Sequence, residues 1–355
     1  MKKRFVITCI LLGSAMMVAA QTRVEKKMAT RAGGYGVTYS LPKTSLLINA
    51  EVTKTACKAG PYYKYAEKYL GVTDAVTEDR VSYELGKLTL TNRGIPDADN
   101  VYTVEFRAGT VAPYVYLTED GLLCSVNAEY VPPAPPVEKA AESETPAKSS
   151  SAVFTEELLM AGSVVRQAEV AAKQIFHIRE SRMDILTGDS ENLPPDGEAM
   201  KLVIKKLEDE EAALTRLFAG TCTKETSYYD VTLVPQEDLE NEVLFRFSKK
   251  LGILDADDLG GEPVYISLTA TERAPALDPK EAEKKAKSMK GLIYNVPGKA
   301  QVEIKSGLKT LYRGEVPVVR FGTTECLAPV LFEDKKNPVK IFFYPETGAI
   351  KQIIQ

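Results

Sequence analysis

The chain has 355 residues and is acidic, with 45 Lys and Arg against 49 Asp and Glu and a formal net charge of −4. This length is sufficient for two or three domains. An acidic protein repels phosphate backbones, and the chain has no dense block of Lys and Arg, so the charge argues against nucleic acid as a partner.

The segment 1–20 has the features of a secretory signal peptide. The basic start Lys2-Lys3-Arg4 precedes an uncharged, mostly apolar run of 16 residues that ends at Ala20. Val18 and Ala20 place small residues at positions −3 and −1 of a cleavage site. The run is shorter than the ~20 residues that a spanning helix needs. We therefore expect cleavage after Ala20, a protein exported to the periplasm or cell envelope, and no transmembrane segment in the mature chain.

Residues 21–131 are predicted to form an N-terminal β-rich domain. Runs of aromatic and β-branched residues alternate with Gly, Pro, Asn and Asp, which is typical of strands and turns. A short helix over Tyr62–Leu70, ended by Gly71, interrupts them. The predicted strands are a period-two run from Tyr39 to Val52 and the segments Val81–Thr91, Val101–Phe106, Tyr114–Leu117 and Leu122–Tyr130.

Residues 132–151 differ in composition from the segments on either side. Pro132-Pro133-Ala134-Pro135-Pro136 is followed by Glu, Lys, Ala and Ser. This stretch has few apolar residues to bury, so nothing offsets the entropy lost on ordering it. We interpret it as a linker.

Residues 152–220 are predicted to form an antiparallel helical hairpin. Apolar residues recur at spacings of three and four in two runs, as on paired helices. The first run contains Leu158, Ala161, Val165, Ala168, Ala172 and Ile175, and the second contains Met200, Val203, Leu207, Leu214 and Leu217.

The two runs also predict a register. If they face each other, Ile175, Ala172 and Leu186 lie opposite Leu214, Leu217 and Val203. The same register places Arg179 opposite Glu210 and predicts an ion pair between them. His177 and Ile178 then fall on the outer face of the first helix.

Residues 221–355 are predicted to form a C-terminal β-rich domain with a short charged helix near 279–290. Asp278 and Glu281 read as a capping box for this helix, and Gly291 as its end. The predicted strands are Ser227–Val234, Glu242–Phe247, Val264–Thr269, Gly291–Tyr294, Ala300–Ile304, Val316–Arg320, Val339–Tyr344 and Ile350–Ile354.

Two pairs of segments resemble each other across the chain. Gly36–Pro42 matches Gly291–Pro297, and Val115–Leu123 matches Phe342–Ile350. The second pair reads as strand, Glu-x-Gly turn, strand in both copies. These matches predict a shared β topology, with Tyr39 and Tyr294 at equivalent positions.

The sequence does not determine whether the cysteines of the mature chain form disulfides. Removal of the signal peptide leaves Cys57, Cys124, Cys222 and Cys326. Four cysteines in an exported chain permit two disulfides in three connectivities. The alternative is buried free thiols, which pack as small apolar groups. No Cys-x-x-Cys occurs, so neither a thioredoxin-type site nor a compact zinc site is indicated.

The motifs that carry chemistry give no assignment of catalytic, cofactor-binding or metal-binding residues. The acidic segment from Asp255 has Leu259 and Ile266 where an EF-hand loop requires oxygen ligands. His177 is the only histidine, and no nucleophile motif accompanies it. A pair of carboxylates could still hydrolyse a glycoside, but 49 acidic residues do not single out a pair.

Six segments spread along the chain carry a family resemblance. They are Tyr39–Thr44, Gln167–Arg182, Asn192–Met200, Leu244–Gly252, Gly261–Tyr265 and Pro345–Ala349. With these segments the chain resembles the exported Bacteroidota proteins of domain-of-unknown-function family 4831, over nearly all of its mature length. The resemblance implies an envelope protein without an assigned activity, and no functional residue is carried over.

The sequence therefore predicts an α+β protein with two mainly antiparallel β-rich modules separated by a long helical hairpin. The absence of catalytic motifs favours a non-enzymatic binding or assembly module, with an envelope protein or a glycan as partner and no cofactor. The alternative is a carbohydrate-active protein that binds glycans or hydrolyses them with carboxylates.

Overall fold

The computed structural model describes residues 23–26, 36–105, 115–132, 143–144, 154–189, 197–332 and 338–354. The predicted signal peptide lies outside these residues. So does most of the predicted linker, in which only Pro132 and residues 143–144 are described. Ser143 and Glu144 form a short strand, so this part of the predicted linker is paired.

The structure is α+β, with a helical hairpin between two β-rich parts of the chain. The described strands are β1 (Arg23–Lys26), β2 (Gly36–Lys58), β3 (Arg80–Glu105), β4 (Val115–Leu117), β5 (Leu123–Val126), β6 (Ser143–Glu144), β7 (Thr221–Leu233), β8 (Leu239–Ser248), β9 (Gly252–Leu254), β10 (Glu262–Glu272), β11 (Leu292–Ser306), β12 (Lys309–Leu327), β13 (Lys340–Phe343) and β14 (Ile350–Ile354). The described helices are α1 (Ala66–Leu70), α2 (Glu156–Met160), α3 (Val164–Thr187), α4 (Gly197–Ala219) and α5 (Pro279–Ser288).

The strands form three antiparallel sheets. Sheet 1 has the order β1-β3-β2-β7-β6, sheet 2 the order β12-β11-β10-β8-β9, and sheet 3 the order β14-β13-β5-β4. Sheets 1 and 3 each combine strands that precede the hairpin with strands that follow it. Strand pairing thus joins the two β-rich regions, while the domain boundaries read from the sequence remain a prediction.

Sheets 1 and 2 enclose the largest core cluster. Buried residues alternate with less buried ones in parts of these strands, as at Leu46, Ile48 and Ala50, because successive side chains of a strand point to opposite faces. The other buried members are Leu88, Phe245, Val264, Ile266, Leu268, Ala300, Val302, Ile304, Val316, Val318 and Phe321. Burial of each large aliphatic side chain contributes roughly 1.5–3 kcal/mol.

Strands β11 and β12 are longer than the sequence predicted. Residues 292–294 of the first predicted segment and the whole of Ala300–Ile304 belong to one strand, which continues through Pro297 with a register shift between Val296 and Gly298. A proline fits inside a strand at such a bulge, where the ladder bond it cannot donate is not needed. A side chain at Gly322 on β12 would overlap the Val296 carbonyl oxygen, so the close approach requires glycine.

Tyr39 and Asn295 tie the beginnings of β2 and β11 together. The Tyr39 hydroxyl donates to the Ile293 carbonyl oxygen and accepts from the Ile293 N–H, each at 3.0 Å. The Asn295 side-chain amide donates to the carbonyl oxygens of Pro42 at 3.1 Å and Thr347 at 2.9 Å. Burial raises the pKa of Tyr39 far above its usual value, so the hydroxyl stays protonated and able to donate.

The two hairpins matched in the sequence lie next to each other in sheet 3. Strand β5 of the first pairs with β13 of the second, with Val126 opposite Ile341. Tyr39 and Tyr294 each lie near the beginning of a long strand. Whether the two long strands superpose as repeats stays a prediction, which a superposition of the two halves would test.

A disulfide between Cys57 and Cys222 joins the paired strands β2 and β7, where the two residues face each other directly. Cys124 and Cys326 are free thiols. These four cysteines therefore form one disulfide and leave two free thiols, one of the outcomes that the sequence left open.

The helical hairpin is built from three helices. The predicted first helix is interrupted around Gly162, which separates α2 from α3. Thr155 and Ser163 cap the two helices through their side-chain oxygens. Gly188 adopts a φ of 83° at the end of α3, where a side chain would be strained.

The short helices agree with the sequence in position. A 3₁₀ turn at Tyr63–Tyr65 leads into α1, and Gly71 follows it. Asp278 lies at the N-cap of α5, but its side chain makes no capping hydrogen bond, so the predicted capping bond is wrong. Helix α5 has no buried residue, and water can therefore reach the first N–H groups that the cap would otherwise satisfy. The helix also ends at Ser288, before Gly291.

Candidate functional site

The base of the helical hairpin is packed against the segment around α1. Tyr62 and Ala66 of that segment share a core cluster with Ile175, Leu214 and Phe218 of the hairpin. Tyr62 and Phe218 form an aromatic contact with ring centroids 5.4 Å apart. This packing fixes the direction in which the hairpin leaves the sheets.

The far end of the hairpin, which we call the arm, has no buried residue among those described. The arm comprises residues 179–187 of α3 and 197–209 of α4. Its two helices contact each other, but none of its side chains is covered by the rest of the described chain to the point of burial. The arm is therefore a surface that a partner could reach.

The arm exposes four large apolar side chains. Met183 and Leu186 on α3 are 59% and 61% exposed, and Leu202 and Val203 on α4 are 60% and 37% exposed. An antiparallel hairpin brings the end of one helix beside the start of the next, so all four lie at the far end of the hairpin. Single exposed apolar residues are ordinary, but a concentration of them marks an interaction surface.

An ion-pair cluster lies where the arm meets the base. Glu211 accepts from Arg179 Nε at 2.6 Å and lies 2.7 Å from Arg182 Nη1. Glu210 accepts from the side chain of Gln174 at 3.3 Å. The predicted contact between Arg179 and Glu210 is therefore wrong. Glu210 and Glu211 are consecutive and therefore about 100° apart around the axis of α4. Both border the seam between α3 and α4, and Glu211 is the one that faces the two arginines.

Three other expectations for the hairpin have mixed outcomes. His177 is exposed, as predicted. Ile178 is buried and not on an exposed face, because the segment around α1 covers that side of α3. The predicted seam pair of Leu186 and Val203 is exposed at both residues, since the hairpin extends further than its covered base.

We expect Arg179→Met and Glu211→Gln to show a coupling free energy of up to ~1 kcal/mol in a double-mutant cycle, because the pair is partly exposed. The matched control pairs Arg179→Met with Glu210→Gln, and its two effects should add. Urea unfolding of the four chains in each cycle measures both values. A larger coupling for Glu210 than for Glu211 would contradict the arrangement.

A surface cleft of about 360 Å³ lies beside the disulfide. Its lining residues are Ala56, Cys57, Lys58, Asp79, Arg80, Val81, Thr221 and Thr223. Asp79 is the one carboxylate among them, and it accepts a hydrogen bond from the Ala59 N–H at 2.8 Å. Glycoside hydrolysis requires two carboxyl groups across the scissile bond, and this lining supplies only one.

The remaining titratable groups of interest have structural roles. Burial raises the pKa of the Cys124 thiol to about 11, with the Glu346 charge adding to the effect, so the thiol is a poor nucleophile at neutral pH. Asp97 is engaged by Lys43 Nζ at 2.9 Å and by the Asp99 N–H at 2.9 Å. These contacts hold its pKa below the usual value, although burial opposes ionisation.

Neither a metal site nor a membrane-spanning helix is indicated within the described ranges. No three His, Cys, Asp or Glu side chains there are grouped so that they could hold a metal ion. In the same ranges, none of the helices combines the length and apolar character that a membrane crossing requires.

A family model described as "Domain of unknown function (DUF4831)" matches residues 35–351. The match covers the arm, the disulfide and the strands from β2 to β13, whereas β1 and most of β14 lie outside it. No match was found among curated proteins or among solved structures.

Proposed function

Because this chain belongs to the DUF4831 family, as its sequence segments predicted, and the family description names no activity, we propose its function from its own surfaces. The chain is a non-enzymatic component of the cell envelope that binds, or assembles with, another protein. The contact surface is the arm of the helical hairpin.

The observation that carries this proposal is the exposure of Met183, Leu186, Leu202 and Val203 on an arm without buried residues. Met183 and Leu186 lie three residues apart on α3, and apolar side chains at a spacing of three or four are the contacts by which a helix enters a groove of its partner. Covering such side chains removes apolar surface from water, which supplies roughly 25 cal/mol per Å² before the costs of association.

Two features support an exported location. The N-terminal segment 1–20 has the pattern of a signal peptide. The disulfide between Cys57 and Cys222 is of the kind that persists in oxidising compartments such as the periplasm.

Hydrolysis of glycans is less well supported. It needs two carboxylates at a suitable separation in one cleft. The cleft beside the disulfide offers Asp79 alone among its lining residues, and that side chain already holds a backbone N–H.

A photoreactive amino acid placed at Leu186 in the full chain should give a covalent adduct in living cells, detectable on a denaturing gel. The matched control is Leu308, which is fully exposed in the turn between β11 and β12 and far from the arm in sequence. The control should give little or no adduct. No adduct at Leu186, or equal adducts at both leucines, would contradict the proposal.

A further inference from the structure

The outer face of α4 carries a regular row of six residues. Glu198, Leu202, Lys205, Asp209, Ala212 and Arg216 recur at alternating spacings of four and three, so they share one face of the helix. Arg216 is half-buried and the other five are exposed. The residues that pack inward, Leu207, Leu214 and Phe218, lie on the opposite face.

This row is complementary to itself when it is reversed. In two antiparallel copies of α4 centred at Leu207, Glu198 of each copy lies opposite Arg216 of the other. Lys205 lies opposite Asp209, and Leu202 lies opposite Ala212. Every charged position thus meets the opposite charge, and each apolar position meets an apolar one.

We propose that a second copy of this chain docks on this face, α4 against α4, around a two-fold axis level with Leu207. A two-fold axis repeats every contact, so the dimer contains each of the two ion pairs twice. This proposal rests on the proposed function in one respect. It takes the arm as a contact surface and names a second copy of the chain as the partner.

The charge pattern also selects the direction of the helices. In a parallel pair in register, Lys205 would face Lys205 and Asp209 would face Asp209 of the other copy. Like charges at such positions repel and would oppose the contact. The antiparallel arrangement converts the same four charges into attractive pairs, so the sequence of this face discriminates between the two orientations.

The contact is expected to be weak and sensitive to salt. A single helix-to-helix surface is smaller than a standard stable interface. Its ion pairs are exposed, so each contributes little and is screened by added salt. Burial of Leu202, which is 60% exposed in the single chain, supplies the apolar part. Glu198 contacts Lys201 at 2.7 Å, but both side chains are largely exposed, so this pair can rearrange at small cost.

Sedimentation equilibrium of the mature chain at low ionic strength tests the proposal. The natural chain should show a reversible monomer–dimer equilibrium. Lys205→Asp and Asp209→Lys should each weaken it about tenfold, because each places like charges opposite one another twice. The double variant with both changes should restore association, since the reversed charges again face their opposites. Lys284→Asp on the exposed helix α5 is the matched control and should leave the equilibrium unchanged.

A monomer at all concentrations overturns the proposal, as does a dimer whose affinity is unaffected by the two single changes or not restored by the exchange. Circular dichroism of each variant checks that α4 remains helical. The two proposals fail separately. A monomeric chain that still forms an adduct at Leu186 loses only the second copy as partner. A dimer with the expected charge dependence but no adduct at Leu186 loses only the binding role of the apolar end.

Discussion

Replacing Cys57 and Cys222 together by Ala is expected to lower the free energy of unfolding by about 2–5 kcal/mol. The disulfide joins residues separated by 165 positions and therefore closes a very long loop. Constraining so long a loop removes much conformational freedom from the unfolded chain, and the loop-entropy relation gives on the order of 5 kcal/mol as an upper value. Urea unfolding monitored by circular dichroism measures the difference.

Two controls accompany the disulfide experiment. Reductant should destabilise the natural chain by a similar amount and leave the double variant unchanged. Cys326→Ala removes a free, half-buried thiol and should have a much smaller effect than the double variant. A natural chain that is equally stable with and without reductant would show that the bond contributes nothing to stability.

Tyr39→Phe is expected to cost about 2–4 kcal/mol, although it removes a single oxygen atom. The change leaves the N–H and carbonyl groups of Ile293 buried without the partner they have in the native chain. Each buried polar group left unsatisfied costs roughly 1–3 kcal/mol. The aromatic ring remains, so the loss reports the two hydrogen bonds and not a cavity.

The matched control for Tyr39 is Tyr102→Phe. The rings of the two tyrosines lie 5.9 Å apart, but the hydrogen bond that the Tyr102 hydroxyl donates to Asn100 Oδ1 is long, at 3.4 Å. Its removal should change the free energy of unfolding by less than about 1 kcal/mol. Equal effects of the two substitutions in thermal or urea unfolding would refute the special role of Tyr39.

Local features of this fold could be predicted from the sequence. The spacing of apolar residues predicted the helical hairpin, and Gly71 marked the end of the short helix before it. Alternation predicted which residues of β2 face the core. These signals depend on neighbours in the chain, so one sequence is enough to reveal them.

The non-local features could not be predicted in the same way. The alternation of apolar and polar residues along β2 shows which of its faces is buried. It does not show that the neighbouring strand is β7, because any strand with a matching apolar face could pair with β2. Which of Glu210 and Glu211 faces the arginines of α3 depends on a small rotation of α4 about its axis. The spacing of the apolar residues on α4 does not define that rotation closely enough. The burial of Ile178 depends on the segment around α1, about a hundred residues earlier in the chain.

The candidate binding surface on the arm could also not be predicted from the sequence. Leu186 and Val203 fit the pattern of a buried seam, and only the extent of the covering segment shows that they are exposed. A helix that is covered by another segment and a helix that extends beyond that segment can carry the same periodic stripe of apolar residues. The difference lies in what the rest of the chain places next to it.

The sharing of sheets between the two β-rich regions also determines when the chain can fold. During synthesis the chain emerges with its N-terminus first, and domains that are complete early can fold before synthesis ends. Here β2 lacks its partner β7 until the helical hairpin has emerged, and β5 lacks its partner β13 until β12 has emerged. Contacts so distant in sequence form slowly. Sheets 1 and 3 are therefore completed only after β7 and β13 have been synthesised, although β2 can pair with β3 before then.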